Sequence, residues 1–234
     1  MTAIDTGSRS SLWVSPLVTS MKAIAINGSP RKACNTATLL QKALDGAEAA
    51  GANIEMIHLY DLDYKGCNSC FACKLKNRPW IRCCAMKDGL TGLLHNILAS
   101  DVILLGSPIY LGSMTGEMHS FFERLIYPVV SYREGQTSDY TGRKASGFIY
   151  TMNVTKSQME ENNYRILFER NKKYLERFNG PSEYMLSMDT YQFDDYTRYD
   201  ASKYDEKHKA EVRKNQFAAD CRDAFEMGAR LVMA

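Results

Sequence analysis

Cys67, Cys70, Cys73, Cys83 and Cys84 crowd into one short stretch of the chain, and only Cys34 and Cys221 lie outside it. Thiolates are soft metal ligands. The run Cys67-x2-Cys70-x2-Cys73, with a fourth sulfur at Cys84 or its neighbour Cys83, offers the donor set of a [4Fe–4S] cluster. A four-thiolate zinc site is a second reading, although C-x2-C-x2-C crowds its first three ligands more in the manner of an iron–sulfur site. The third reading is metal-free thiols in a loop over a ligand site, with Cys84 and Asp88 fixing the helix that follows. The segment Lys74–Arg82, which contains Pro79 and Trp80, interrupts the spacing before the fourth cysteine, and all three readings stand. An odd number of cysteines packed this way is no secreted disulfide framework, and the N-terminus lacks the apolar core of a signal peptide. Both features favour a reducing, cytoplasmic setting.

A second set of candidates lies in two polar loops. Gly28–Thr36 (GSPRKACNT) joins an apolar run to a helical pattern. A helix N-terminus offers free N–H groups and a favourable dipole, so phosphate is its natural ligand. Ser29, Asn35 and Thr36 can donate hydrogens and Arg31 adds charge; the plainer reading is a polar turn with a capped helix. The loop is neither G-x-x-x-x-G-K-[ST] nor G-x-G-x-x-G, which argues against a nucleoside triphosphatase and the usual dinucleotide fold. No cysteine has an arginine six positions later, so a cysteine phosphatase is excluded and the phosphate is bound, not cleaved. The other loop, Ser107–Gly116 (SPIYLGSMTG), combines flat apolar side chains at Pro108, Ile109 and Met114 with Gly112 and Ser113, where backbone can approach a ligand. Its plainer reading is a turn that packs the end of a sheet. His58, His95, His119 and His208 are scattered and form no hydrolase or metal motif.

The elements that hold these loops alternate between strand and helix. Strands are expected at 22–27, 53–59, 101–106, 146–152 and 183–188. Helices are expected from Thr36, with Leu40, Leu44 and Ala47 on one face, and from an N-cap at Asp88. Another carries Met118, Phe121, Phe122, Leu125 and Ile126 and stops at Pro128. Thr155-Lys156-Ser157-Gln158 fits a capping box for a helical region to about Phe178, broken near Asn162-Asn163 and ended by Gly180-Pro181. The last helix, 206–232, places Phe217, Cys221, Ala224, Phe225, Gly228 and Val232 along one stripe. This alternation predicts an α/β fold, a doubly wound five-stranded parallel sheet with helices on both faces. Its ligand belongs beyond the carboxyl ends of the strands, beside strand one.

The 234 residues, 45% hydrophobic and 24% charged, suit one medium domain at 21–234. Residues 1–20, rich in Ser and Thr, read as a disordered extension or an over-called start. The net charge of +2 gives no case for nucleic acid or an anionic membrane as partner, and no apolar run approaches the ~20 residues of a membrane span.

G-S-P-R-x-x-x-N-T after strand one and S-P-I-Y-x-G-S-M-T-G after strand three resemble the flavodoxin-like NAD(P)H-dependent FMN reductase family. The resemblance covers 21–153 by motif and the remainder by topology. It implies non-covalent FMN, with the phosphate on Ser29, Arg31, Asn35 and Thr36. The ring and ribityl chain would lie on Pro108, Ile109, Tyr110, Gly112, Ser113 and Met114, and the pyrimidine edge on Thr151, Met152 and Asn153. The implied activity passes electrons from NAD(P)H through FMN to a small acceptor such as a flavin or quinone. The cofactor carries that chemistry, so no acid–base residue is nominated.

The cysteine motif is similar to that of the iron–sulfur flavoproteins, although their fourth cysteine follows the third more closely. This resemblance implies an alternative, in which a cluster on Cys67, Cys70, Cys73 and Cys84 relays single electrons between protein partners. Residues 189–205 (DTYQFDDYTRYDASKYD) carry tyrosines and carboxylates without a period. They either wrap the surface of their own subunit or lie over the flavin of a neighbour. Because flat aromatic surface is costly to leave wet, the second arrangement and a homo-oligomer are expected.

Overall fold

The computed structural model describes residues 20–77 and 83–234. Residues 1–19 lie outside the described residues, so the expectation for 1–20 is not addressed beyond Ser20; Pro79 and Trp80 also lie outside them. In β1 (Lys22–Asn27), Ala23 and Ala25 alternate with Ile24 and Ile26, and all four are fully buried. The pleat sends the two pairs to opposite faces. The alanines join the apolar cluster of α1 (Asn35–Ala49) and α6 (Glu206–Met233). The isoleucines join the cluster of α2 (Leu90–Ala99), α3 (Gly116–Ile126) and α5 (Arg165–Leu175). Small side chains on the first face let α1 and α6 pack tightly: a Cβ on Gly228 would lie 1.7 Å from the Ala43 carbonyl oxygen.

Beside β1 run β2 (Asn53–His58) and β3 (Val102–Tyr110), followed by β4 (Ser113–Met114), β5 (Lys144–Thr151) and β6 (Asn179–Ser187). The sheet order is β2-β1-β3-β5-β6, all parallel, and β4 pairs antiparallel with β3. The five expected strands are present, and the sixth is the short β4, which the sequence reading took for loop. Tyr110 pairs with Ser113 across Leu111 and Gly112, whose φ values of +51° and +81° make a tight two-residue hairpin. β3 also runs four residues beyond its expected end, with Ser107 opposite Tyr150 and Pro108 opposite Thr151. Its partner β1 ends opposite Gly106, so the N–H that Pro108 lacks has no strand to meet on that side.

Gly180 and Pro181, expected to end a helix, lie inside β6, an edge strand where a proline is tolerated. The capping box at Thr155 and Gln158 opens α4 (Lys156–Glu161), and Asn163 at φ +56° breaks the chain before α5. In α6 the buried stripe is rotated from expectation. Lys209, Phe217, Asp220, Ala224, Met227, Gly228 and Leu231 face inward, while Phe225 is 39% exposed. Among the described residues no helix is long and apolar enough to cross a membrane.

Helix α3 anchors the segment that carries the cysteines. Arg124, 1% exposed, donates from Nη1 to the Lys65 carbonyl at 3.0 Å and engages both oxygens of Asp88, one of them from Nη2 at 2.9 Å. Gly89 occupies the N-cap position of α2 expected for Asp88, yet Asp88 Oδ1 still accepts the Leu90 N–H at 3.0 Å. Burial opposes charge on Asp88, but Arg124 and the Leu90 N–H outweigh it and hold the carboxyl below its ordinary value. Glu123 completes the anchor by accepting the Cys67 N–H at 3.0 Å.

Two stability measurements follow. Arg124→Met leaves Asp88 without its cation and should lower the urea unfolding free energy by about 3 kcal/mol. A loss under about 0.5 kcal/mol, the scale of a solvated pair, would show that the pair does not hold the loop. Lys144 is buried at the start of β5, where its Nζ donates to the Ser100 carbonyl; burial pushes it down to about 8, against a weaker opposing pull from Asp101. Between that value and the ordinary 10.5 the unfolded chain binds more protons, so the contribution of Lys144 to stability rises with pH across this window and is poorest below it. From pH 7 to pH 10 the stability difference between wild type and Lys144→Met should therefore move in favour of wild type; a difference independent of pH contradicts the assignment.

Candidate functional site

Where β1, β3 and β5 end, their loops surround an open cleft. Its first wall is the loop from β1 to α1. Asn27, fully buried, shapes that loop by accepting the Ser29 N–H at 3.0 Å and donating to the Ser29 carbonyl at 3.4 Å. Gly28 follows because a side chain there would meet Met118 Cβ at 2.8 Å. Thr115, the N-cap of α3, donates to the Gly28 carbonyl at 2.7 Å and ties the loop to the far side of the sheet. Cys34, at the N-cap of α1, makes no side-chain capping bond. The first-turn N–H groups of α1 are therefore not capped by it and face the ligand end of the fold.

Ser29, Arg31, Asn35, Thr36, Pro108, Ile109, Tyr110, Thr151, Met152 and Asn153 line this cleft together, joined by Cys34, Thr190 and Gln192. Gly112, Ser113 and Met114 stand outside its wall. Met114 is buried at 5% and packs into the core with Met118, because the pairing of Ile109 with Met114 turns it inward; Gly112 lies against Tyr164. Several polar groups expected to face a ligand already have partners. Thr36 and Thr151 share a hydrogen bond of 2.8 Å across the floor. Arg31 donates from both terminal nitrogens to the Gln192 carbonyl at 2.7 Å. Asn35 donates to the Tyr191 carbonyl at 3.0 Å and accepts from Arg213 at 2.6 Å.

The segment after β6 thus closes over the phosphate-type loop of its own chain. Its aromatic rings hold it together: Tyr196 packs edge-on against Tyr191 and Phe193, and Phe193 stacks on Tyr199 at 4.2 Å. At Tyr191 and Gln192 this segment makes contacts within its own chain, the surface-wrap arrangement. Sequence reasoning also missed Lys209 and Arg213. A signal was present, since stepping back in fours along α6 from Phe217 reaches both. Lys209 is 3% exposed; its Nζ donates to the Asn153 carbonyl at 3.0 Å, to Asn153 Oδ1 at 2.6 Å and to Asp189. Asp189, at φ +54°, also meets His208 Nε2 at 2.6 Å. Burial disfavours its charge, but Lys209 and His208 prevail and hold the carboxyl below its ordinary value.

The cleft fits FMN in chemical terms. One end has an uncapped helix N-terminus and hydroxyl or amide side chains, which suit a phosphate; the other has Pro108, Ile109 and Tyr110, which suit a flat ring.

A second, much smaller cleft is lined by Cys67, Cys70, Cys73 and Cys84 together with Phe71, Arg124 and Tyr127. Cys83 belongs to the core instead, and burial pushes its thiol up. The fourth sulfur at this cleft is therefore Cys84. The donor types suit a soft metal, but among the described residues no three His, Cys, Asp or Glu side chains converge closely enough to hold one. Among the described residues no cysteine is paired with another in a disulfide.

The sequence pattern of the NADPH-dependent FMN reductase family matches residues 21–168. An iron–sulfur flavoprotein of Archaeoglobus fulgidus is 38% identical over 104 residues, 44% of this chain and 48% of that protein. One of Methanocaldococcus jannaschii is 33% identical over 104 residues, 44% of this chain and 51% of that protein. The chain spans about half the length of these curated relatives. Among solved structures, an azoreductase of Bacillus anthracis superposes with a TM-score of 0.64 at 11% identity, covering 90% of this chain and 99% of that one. An NAD(P)H:quinone oxidoreductase of Methanothermobacter marburgensis gives 0.61 at 13%, covering 91% and 99%. At such identities these two establish the flavodoxin-like fold alone. With its family pattern matched over more than half its length, the chain belongs to the NADPH-dependent FMN reductase family.

Proposed function

We propose that this chain is an FMN-dependent oxidoreductase that takes electrons from NAD(P)H and delivers them to a small acceptor such as a flavin or quinone. The observation that carries the reading is the single cleft at the ends of β1, β3 and β5, where the polar α1 terminus and the apolar Pro108–Tyr110 edge face one another. Bound FMN would supply hydride acceptance and one- or two-electron transfer. Ser29, Thr36 and the first-turn N–H groups of α1 would hold the phosphate. Pro108, Ile109 and Tyr110 would cover the ring and keep water from it, and Thr151, Met152 and Asn153 would meet its pyrimidine edge. A cysteine-rich chain without disulfide pairs suits a reducing, cytoplasmic setting. Leu111, wholly exposed at the hairpin tip beside the cleft, is a side chain that a neighbouring copy in a homo-oligomer would cover.

One observation favours a second reading. Cys67, Cys70, Cys73 and Cys84 share a cleft, and the curated relatives are named iron–sulfur flavoproteins. On this reading the four thiolates hold a [4Fe–4S] cluster and the protein relays single electrons to a protein partner.

A visible spectrum of anaerobically purified protein, with iron and acid-labile sulfide measured on the same sample, separates the two. The reductase reading expects a two-band flavin spectrum, bleached by NADH or NADPH, without iron. About four irons and four sulfides per chain, with flavin that NAD(P)H does not bleach, would establish the relay. No uptake of added FMN would end both. Ser29→Ala with Thr36→Ala should weaken FMN binding by about tenfold or more, the scale of one or two hydrogen bonds, while far-UV circular dichroism stays unchanged.

A further inference from the structure

We propose that Lys209 is a positioning residue that fixes the Asn153 carboxamide, so that this wall of the cleft presents the Asn153 amide N–H as a donor and favours a ligand acceptor opposite it. The inference rests on the FMN reading and names the residues that would make that cleft select one edge of the ring. Lys209 Nζ has three protons and three acceptors: the Asn153 carbonyl, Asn153 Oδ1 and an oxygen of Asp189. With all three engaged and the side chain 3% exposed, Lys209 has no proton for a ligand and acts only through Asn153. An ammonium group only donates. The amide atom it meets must therefore be the oxygen, which leaves Nδ2 as the polar atom Asn153 can offer to the cleft that it lines.

The neighbouring acceptors of the same wall are also taken. The Met152 carbonyl accepts from the Thr190 N–H at 3.1 Å and from Thr190 Oγ1 at 3.2 Å. Thr151 Oγ1 is shared with Thr36 at 2.8 Å. A ligand that presents N–H groups here finds no free Asn153 oxygen, whereas one that presents carbonyl or ring-nitrogen lone pairs finds a donor. The pyrimidine-dione edge of a flavin offers such lone pairs at its two carbonyl oxygens and at N1, on either side of its single N3–H donor, so the Asn153 amide would meet one of those acceptors. Asp189 balances the charge of Lys209, so the pair delivers orientation more than net charge.

The test is a double-mutant cycle on the full chain, read by FMN titration of the apoprotein and by the midpoint potential of the bound flavin. Asn153→Ala and Lys209→Met should each weaken FMN binding by about tenfold, the scale of one buried hydrogen bond, and each should shift the potential to more negative values. The double variant should bind no more weakly than Asn153→Ala alone, because both changes remove the same donor. Additive losses, or a Lys209→Met protein with wild-type affinity and potential, would overturn the proposal. Should Lys209→Met fail to fold, Asn153→Asp decides: it keeps an oxygen for Lys209 and removes the donor, so it must bind FMN weakly, and wild-type affinity overturns the proposal. Wild-type protein that takes up no FMN removes the function reading and this inference together. Wild-type protein that binds FMN no better than its variants removes this inference alone.

Discussion

Between β1 and β3 the chain reverses its direction of travel across the sheet, so the connections after these two strands leave on opposite faces and cannot cover the gap between them. Everything else in the site depends on that gap. Asn27, at the last position of β1, holds Ser29 by its backbone; Gly28 passes close to Met118; and Thr115 ties Gly28 to the start of α3. Three short interactions thus lock the first loop before any ligand arrives. Preorganisation of this kind lowers the ordering cost of binding.

Helix α3 links the two clefts. Its N-cap, Thr115, supports the first loop, while Glu123 and Arg124 in its last turns grip the cysteine segment. Eleven residues of helix span about 16 Å. A rigid rod of that length gives the two regions a common support. Among the described residues the four cysteines gather at one cleft without closing into a ligand cage.

The far wall is built differently. Gln192 and Tyr191 reach back to Arg31 and Asn35 through backbone carbonyls, and α6 adds Arg213 and Lys209. The carbonyls that hold this wall in place belong to a segment with no regular period, held by ring packing among Tyr191, Phe193, Tyr196 and Tyr199. Such a strap adds contacts to the site at little cost in core.

Much of this was legible in the residues because it is local. Apolar runs at 22–27 and 101–106, helical spacing from Leu90 and Met118, and the capping box at Thr155 each depend on neighbours a few positions away. The order of the loops along such a sheet then determines which must meet, and the resemblance to the reductase family named Ser29, Thr36, Pro108 and Asn153 within them before any coordinates. Only the tertiary structure decided the rest. That Met114 turns into the core, that Cys84 and not Cys83 shares the cysteine cleft, and that Lys209 reaches Asn153 across more than fifty positions are matters of packing between distant segments. A side chain's partner is set by the three-dimensional fold once the elements have docked, and no period in the sequence records it.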